Sequence, residues 1–534
     1  MNALVSSIGI DSRTGTLAWI AVLIALVCLG LGGLRWLRVA QREHYLFGSC
    51  SRFMVRWYKS GWGNTLLGVF ALWGLVLSIY WPVGAIMTGI AVGVGPFGHS
   101  LRGRTSRLVW TRRLRALSGV WLGLELLVLV IGILLGFPAV FGAISALLIP
   151  VLMDFADAIL APVEKKLGTR FVKKASRRLA EVKPTVVAIT GSYGKTSVKG
   201  HLFHLLSEVT GVVASPASFN NRAGLARSIN ENLVAGTEVF IAEMGTYAVG
   251  EIAELCEWVP PDISVITAIG PVHLERFGSE DRILLAKSEI VTRACTVVLN
   301  IDDPRLRRLA DDLESGSRDP HGAKEVVRCS ALDRSADVCV IRENTQSNDV
   351  SVWCSSQLIA HSVTVAESLQ PINLACALGV AFRLGLSTSS VESTIASIPA
   401  VSNRASLILS ESGVVIIDDT FNSNPAGARA GLEILKRSIP NTEILHRRVV
   451  VTPGMVELGK RQFEENRAFG QDAAEIATDF IIVGRTNRAA LLDGAKACNP
   501  VCVRDRSEAV EWVRKHLNAG DGVLYENDLP DHYP

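Results

Sequence analysis

An excess of charge of either sign is missing from this sequence: 54 Lys and Arg stand against 51 Asp and Glu, a net charge of +3. That balance gives no footing for a polyanionic partner, so nucleic acid is not expected to bind. A cysteine framework is missing too. The ten cysteines are scattered, and the closest pair, Cys498 and Cys502, has no companion histidines for a zinc site. They read as reduced, mostly buried thiols of a cytosolic compartment. No basic segment precedes the first apolar run, Leu17 to Leu34, whereas Arg35, Arg38 and Arg42 follow it. A cleaved signal peptide is therefore disfavoured.

Charge is also nearly absent from the apolar runs of residues 1–160. Leu17 to Leu34 has none and is long enough to cross a bilayer. Thr65 to Gly98 has none either, is too long for one span, and is interrupted at Tyr80-Trp81-Pro82; Leu117 to Pro150 breaks at Gly136-Phe137-Pro138 and carries only Glu125. Five transmembrane helices are expected. Basic residues gather in the loops Arg35 to Lys59 and Arg102 to Arg115 and in a connector over 161–183. Basic loops mark the cytoplasmic side and contact anionic lipid. The expectation is a multi-pass cell-membrane protein whose domains beyond residue 160 are cytoplasmic.

After Lys183-Pro184 the pattern changes to short strands alternating with amphipathic helices. Thr185 to Ile189 is β-branched and uninterrupted, like a buried parallel strand, and Val198, Leu202, Leu205, Leu206 and Val209 then recur at helical spacing up to Gly211. Between them lies Gly191-Ser192-Tyr193-Gly194-Lys195-Thr196. A strand, a glycine loop and a helix N-terminus are the context a phosphate loop requires, with backbone N–H groups and the helix dipole facing the anion. Lys195 would reach the phosphates and Thr196 would hold Mg²⁺. The generic nucleotide loop has another glycine five residues before Gly194, where this chain has Ile189, so a turn with a chance lysine stays open. Further strands are expected at 239–242, 263–267, 296–299 and 414–417, giving an α/β parallel sheet. Ligands bind at the carboxyl ends of such strands, where Glu243, Asn300 and Asp418 stand.

With these positions in place, the chain resembles the Mur ligase family. The short loop without its first glycine matches, and "FNNRAGL" from Phe219, "AEMGTYAVGEIAEL" from Ala242, "ITAIGPVHLERFGS" from Ile266, "AKSEI" from Ala286, "VLNIDD" from Val298, "IDDTFNSNP" from Ile417 and "GMVELG" from Gly454 follow in order. The resemblance implies a P-loop ATPase-like central domain over 184–401 and a Rossmann-like α/β C-terminal domain over 402–534, after the helical membrane domain of 1–160. It also implies an ATP- and Mg²⁺-dependent amide ligase of cell-wall peptidoglycan precursor synthesis. In such a ligase ATP phosphorylates a substrate carboxylate, small-molecule or lipid-linked, and the amine of an amino acid or peptide attacks the acyl phosphate.

By the same resemblance, Gly191, Ser192, Gly194, Lys195, Thr196 and Ser197 would cradle ATP. Thr196 and Glu243 would hold one Mg²⁺, and His273 and Lys287 a second. Lys287 would carry a carbamate, since a bare ammonium cannot ligate a metal and a carbamate is a hard oxygen ligand. Asn300 would contact the adenine, Arg404 would reach the phosphates from the C-terminal domain, and Asp418 or Asp419 with Asn422 and Asn424 would edge the nucleotide and acceptor. Each has a plain alternative: Glu243 as a helix cap, His273 as a core histidine, Lys287 as an exposed helical lysine.

Two departures bear on the substrate. Family members begin with a small domain for a uridine nucleotide, where this sequence has membrane helices, and they close with a glycine- and Lys/Arg-containing loop, where it has "GVLYENDLPDHYP". That acidic tip would attract an amine or be a solvated tail. A ligase of another carboxylate, such as a poly-γ-glutamate-like polymer, is therefore the alternative reading. A nucleotide-driven transporter is a third, against which stand the missing LSGGQ-like signature and the scarcity of intramembrane charge.

Overall fold

The computed structural model describes residues 16–534 apart from 102, 104–106, 318–322, 345–346, 400–405, 421–423, 440–445 and 530–531. The chain divides into two compact units, one running to Leu167 with Leu529–Pro534 added, the other Gly168–Asp528.

The first unit is helical. Its apolar helices are Thr16–Arg42, Trp62–Ser78, Val83–Val94, Arg112–Leu134 and the start of Pro138–Val182, so the chain breaks at Tyr80-Trp81-Pro82 and Gly136-Phe137 as the apolar pattern suggests. Three of them are long and apolar enough to cross a membrane, or four spans if Ser49–Lys59 and Trp62–Ser78, bent by 115°, count as one. The expected five falls short for a geometric reason. Val83–Val94 has 12 residues, about 18 Å at ~1.5 Å per residue, against the ~30 Å of a hydrocarbon core. Glu125 is buried, and its carboxylate accepts from Trp121 Nε1 at 2.9 Å and from the Ser145 hydroxyl. The basic connector expected over 161–183 is helical as far as Val182.

The second unit is α/β. Its first sheet contains β1 (Thr185–Thr190), β2 (Val212–Ala214), β3 (Val239–Glu243), β4 (Ile263–Ile266), β5 (Thr296–Asn300), β6 (Glu325–Ser330), β7 (Val338–Arg342), β8 (Asp349–Cys354) and β9 (Gln357–Thr364). Their order is β2-β3-β1-β4-β5-β6-β7-β8-β9, parallel through β7 and antiparallel beyond it. Val187 and Ile189 face one apolar layer with Val198, Leu202, Leu205 and Leu206 of the helix Lys195–Ser207, while Val186 and Ala188 face the other. Burial on both faces is why β1 reads as a continuous apolar run. Val209 lies beyond that helix and is exposed.

The second sheet contains β10 (Ser406–Leu409), β11 (Val415–Asp419), β12 (Arg448–Thr452), β13 (Asp479–Val483), β14 (Val501–Val503) and β15 (Gly522–Glu526). Its order is β10-β11-β15-β12-β13-β14, parallel except for the edge strand β10. The carboxyl ends of β11, β12 and β15 bring Asp419, Thr452 and Glu526 together.

Candidate active site

The loop after β1 is shaped by two glycines. Gly191 has φ +153, and a Cβ there would lie 1.9 Å from Thr267 Oγ1; Gly194 has φ +85, and a Cβ would lie 2.4 Å from Asn373 Oδ1. Only glycine fits at both. Ile189, where a generic loop has its first glycine, is fully buried inside β1, so the strand continues to Thr190 and the loop is correspondingly short. Ser192 ties the loop to the segment after β4: its N–H donates to Ala268 O at 2.8 Å and its hydroxyl to Gly270 O at 3.0 Å. The helix Lys195–Ser207 then opens with Lys195, Thr196 and Ser197 in its first turn. Lys195 Nζ donates to Gly191 O at 2.7 Å.

Glu243, the last residue of β3, is buried beside this turn. Its carboxylate accepts from Thr196 Oγ1 at 3.1 Å and from Asn220 Nδ2 at 3.1 Å, and pairs with Lys199 Nζ at 2.9 Å. Burial pushes its pKa up, but the charges of Lys199 and Lys195 with those hydrogen bonds outweigh burial and leave it below the usual carboxylate range. It is therefore ionised and held in one orientation by its partners. Neither Lys199 nor Asn220 is singled out by the sequence pattern. Lys199 had a signal, since it follows Lys195 by four residues and so shares its helix face.

Lys287 is 4% exposed, so the exposed-helix alternative fails. Its ammonium donates to Gly191 O at 3.0 Å. Burial, and then the charge of Lys195, hold its pKa well below the usual lysine range. Lys195 also acts electrostatically on His273 and Glu243. Lys195, Thr196, Glu243 and Lys287 thus gather at the loop, and His273 lies near enough to feel the charge of Lys195.

His273 precedes the short helix Leu274–Phe277 in a left-handed conformation, φ +58. Its Nδ1 is hydrogen-bonded to Glu457 Oε2, and its ring stands edge-on to Tyr247 at 4.7 Å. Asn300 is buried; its Nδ2 donates to Thr267 O at 2.9 Å and its Oδ1 accepts from Asp302 N at 3.0 Å, so its amide braces the loop after β5. Asp418 accepts from Thr420 N at 3.2 Å and Thr420 Oγ1 at 2.6 Å. Asn424 caps the helix Pro425–Ser438 through Gly427 N at 3.0 Å. Arg404 and Asn422 lie outside the described residues. The acidic C-terminal tip takes another form. Glu526 is fully buried at the end of β15 and accepts from the Thr452 hydroxyl, and Asp528 pairs with Arg506 at 2.6 Å.

Two family descriptions match the second unit: the Mur ligase middle domain over 189–381 and the Mur ligase glutamate ligase domain over 403–525. A UDP-N-acetylmuramoyl-tripeptide–D-alanyl-D-alanine ligase of Mycobacterium tuberculosis is 32% identical over 368 residues, 64% of this chain and 69% of the relative. The chain belongs to the Mur ligase family. A Mycobacterium leprae ligase of the same name is 29% identical over 69% of this chain and 74% of its own. The crystal structure of a MurF ligase from Thermotoga maritima in complex with ADP superposes with a TM-score of 0.57 at 25% identity, covering 68% of this chain and 80% of that one. As a Mur ligase the chain is an ATP-dependent C–N ligase of mixed α/β fold, preceded by apolar helices. The middle-domain match starts inside β1, and the second match ends within β15.

Proposed function

We propose that this Mur ligase joins D-alanyl-D-alanine, or a similar amine, to the terminal carboxylate of a UDP-N-acetylmuramoyl-tripeptide, at a membrane to which its apolar helices anchor it. The observation that carries the reading is the gathering of Lys195, Thr196, Glu243 and Lys287 at one glycine loop, with His273 within reach of the Lys195 charge, in a chain 32% identical to a ligase of that name. In the reaction a carboxylate oxygen of the acceptor attacks the γ-phosphorus of ATP, and the bond to the β-phosphate oxygen breaks to release ADP. The amine nitrogen then attacks the acyl carbon, inorganic phosphate leaves with the C–O bond, and the nitrogen gives up a proton.

The residues suit that sequence. The backbone N–H groups at the start of the helix Lys195–Ser207 and the Lys195 ammonium meet the phosphate charge, which is the chief demand of phosphoryl transfer. The donor set fits Mg²⁺: Thr196 and Glu243 offer a hydroxyl and an ionised carboxylate 3.1 Å apart. His273 and Lys287 would form the second set, and a buried amine held toward its neutral form is the form that reacts with CO₂ to give a carbamate. When bound, the metal neutralises charge on nucleotide and acceptor oxygens. Lys199 and Asn220 keep Glu243 oriented while it does so. Arg404 would add its charge from the C-terminal domain, and Asn300 and Asp418 would lie toward the nucleoside.

Full-length protein in detergent, given ATP, Mg²⁺, UDP-N-acetylmuramoyl-tripeptide and D-alanyl-D-alanine, should release ADP only when both substrates are present and yield the amide by mass spectrometry. Hydrolysis indifferent to the amine would overturn the reading. One feature favours another acceptor or donor, lipid-linked or polymeric: the segment after β15, whose Asp528 pairs with Arg506, is acidic where the family resemblance implies a Lys/Arg-containing loop. Turnover with such a carboxylate, and none with the uridine nucleotide, would decide for it. Anchoring is tested separately by whether the chain resists alkaline extraction from membranes.

A further inference from the structure

The loop Gly454-Met455-Val456-Glu457-Leu458-Gly459 follows β12 and reaches the central domain. Its base is fixed by two buried asparagines: Asn466 Oδ1 accepts from Met455 N at 2.8 Å, and Asn466 Nδ2 and Asn487 Nδ2 donate to Met455 O at 2.9 and 3.0 Å. Met455 and Leu458 are buried in the C-terminal core, 0% and 1% exposed, so the loop is anchored on both sides of Glu457. Glu457 itself has φ +63, a left-handed conformation that a non-glycine residue keeps only where its surroundings hold it there. Its side chain leaves its own domain. One carboxylate oxygen meets His273 Nδ1 and the other accepts from Arg276 Nη2 at 3.1 Å, while the Glu457 carbonyl accepts from Glu275 N at 3.1 Å. Gly459 packs so closely that a Cβ there would lie 3.3 Å from Glu275 N. Arg461 and Arg305 share Glu280 alongside.

Two left-handed non-glycine residues from different domains, His273 and Glu457, therefore meet through their side chains. Arg276 alone would satisfy the carboxylate as a surface pair. The second oxygen on the imidazole does something more: with Nδ1 engaged, Nε2 is the ring nitrogen left for a ligand, and the ring cannot turn.

We infer that Glu457 is a positioning residue: it reaches from the C-terminal domain to fix the rotamer and tautomer of His273, so that the metal-binding geometry of the central domain depends on contact with the C-terminal one. The inference rests on the reading of His273 as a metal ligand. Binding of Mn²⁺, followed by its electron paramagnetic resonance signal in the full-length protein with saturating ADP, tests it apart from turnover. Glu457→Ala should weaken Mn²⁺ binding by roughly 10–100-fold. Glu457→Gln, whose amide oxygen still accepts from Nδ1–H, should recover most of that loss. Arg276→Ala, which removes the neighbouring ion pair and spares the imidazole contact, should change it less than three-fold or so. Equal losses from Glu457→Ala, Glu457→Gln and Arg276→Ala would reduce Glu457 to interdomain adhesion and overturn the proposal, as would unchanged Mn²⁺ binding in Glu457→Ala when His273→Ala has lost it. Unchanged binding in His273→Ala would instead sink the metal reading itself, and the proposal with it.

Discussion

Glu526 offers the clearest quantitative test of the C-terminal domain. It is fully buried, and burial, partly offset by the hydrogen bond from Thr452 and reinforced by the charge of Asp419, pushes its pKa from the ordinary 4.5 to about 8. The sign follows from which state ionises first. Between those two values the unfolded chain loses its proton while the folded chain keeps it, so stability falls as pH rises through that window and the penalty vanishes below it. At ~1.36 kcal/mol per pH unit, the folded state gives up about 3 kcal/mol at pH 7 and under about 1 kcal/mol at pH 5. Glu526→Gln has the shape of the protonated acid and an oxygen for the Thr452 hydroxyl, and it carries no such penalty. Calorimetry of the full-length protein in detergent should show a Tm gain for the variant of roughly 6–12 °C at pH 7, shrinking to roughly 2–3 °C at pH 5, at about 2–4 °C per kcal/mol. A gain equal at both pH values, or a loss at pH 7, would refute the reasoning.

Three other perturbations probe the nucleotide side. Lys199→Met leaves Glu243 buried without its nearest cation and should cost about 3–5 kcal/mol of stability at neutral pH. That cost should fade as pH falls through the carboxylate range and Glu243 protonates, and denaturant unfolding at pH 7.5 and 4.5 measures both. Gly194→Ala puts a Cβ 2.4 Å from Asn373 Oδ1 at φ +85, so ADP affinity by calorimetry should drop roughly 5- to 150-fold, given strain of about 1–3 kcal/mol. Lys287→Ala should abolish ligation and regain part of it with added short carboxylates; full activity in the variant would refute the proposed metal role of Lys287.

Much of this was legible in the sequence because burial on both faces leaves an apolar signature. β1, β3, β4, β5 and β11 all appear within two residues of their expected ends. The breaks at Pro82 and near Pro138 were equally plain, since proline and glycine punctuate an apolar helix. The antiparallel edge strand β9 escaped because its exposed positions, such as Gln357 and Leu358, dilute the pattern. The count of spans escaped because composition alone does not tell a 12-residue helix from a crossing one.

The site divides along the same line. The placement of residues on a glycine loop and at strand ends could be read from local pattern, because strand, loop and helix start each leave a short-range signature. Partners supplied by tertiary contact could not. Glu457 lies in a stretch whose resemblance was visible, yet nothing local says that its carboxylate meets an imidazole 184 residues earlier. The same holds for Glu526, which reads as part of an acidic tail until β15 is seen to bury it beside Thr452. In both cases a carboxylate changes meaning once its surroundings are known. A solvated Glu is a charge, a Glu between His273 and Arg276 is a clamp, and a Glu at the end of a buried strand is a neutral hydrogen-bonding group.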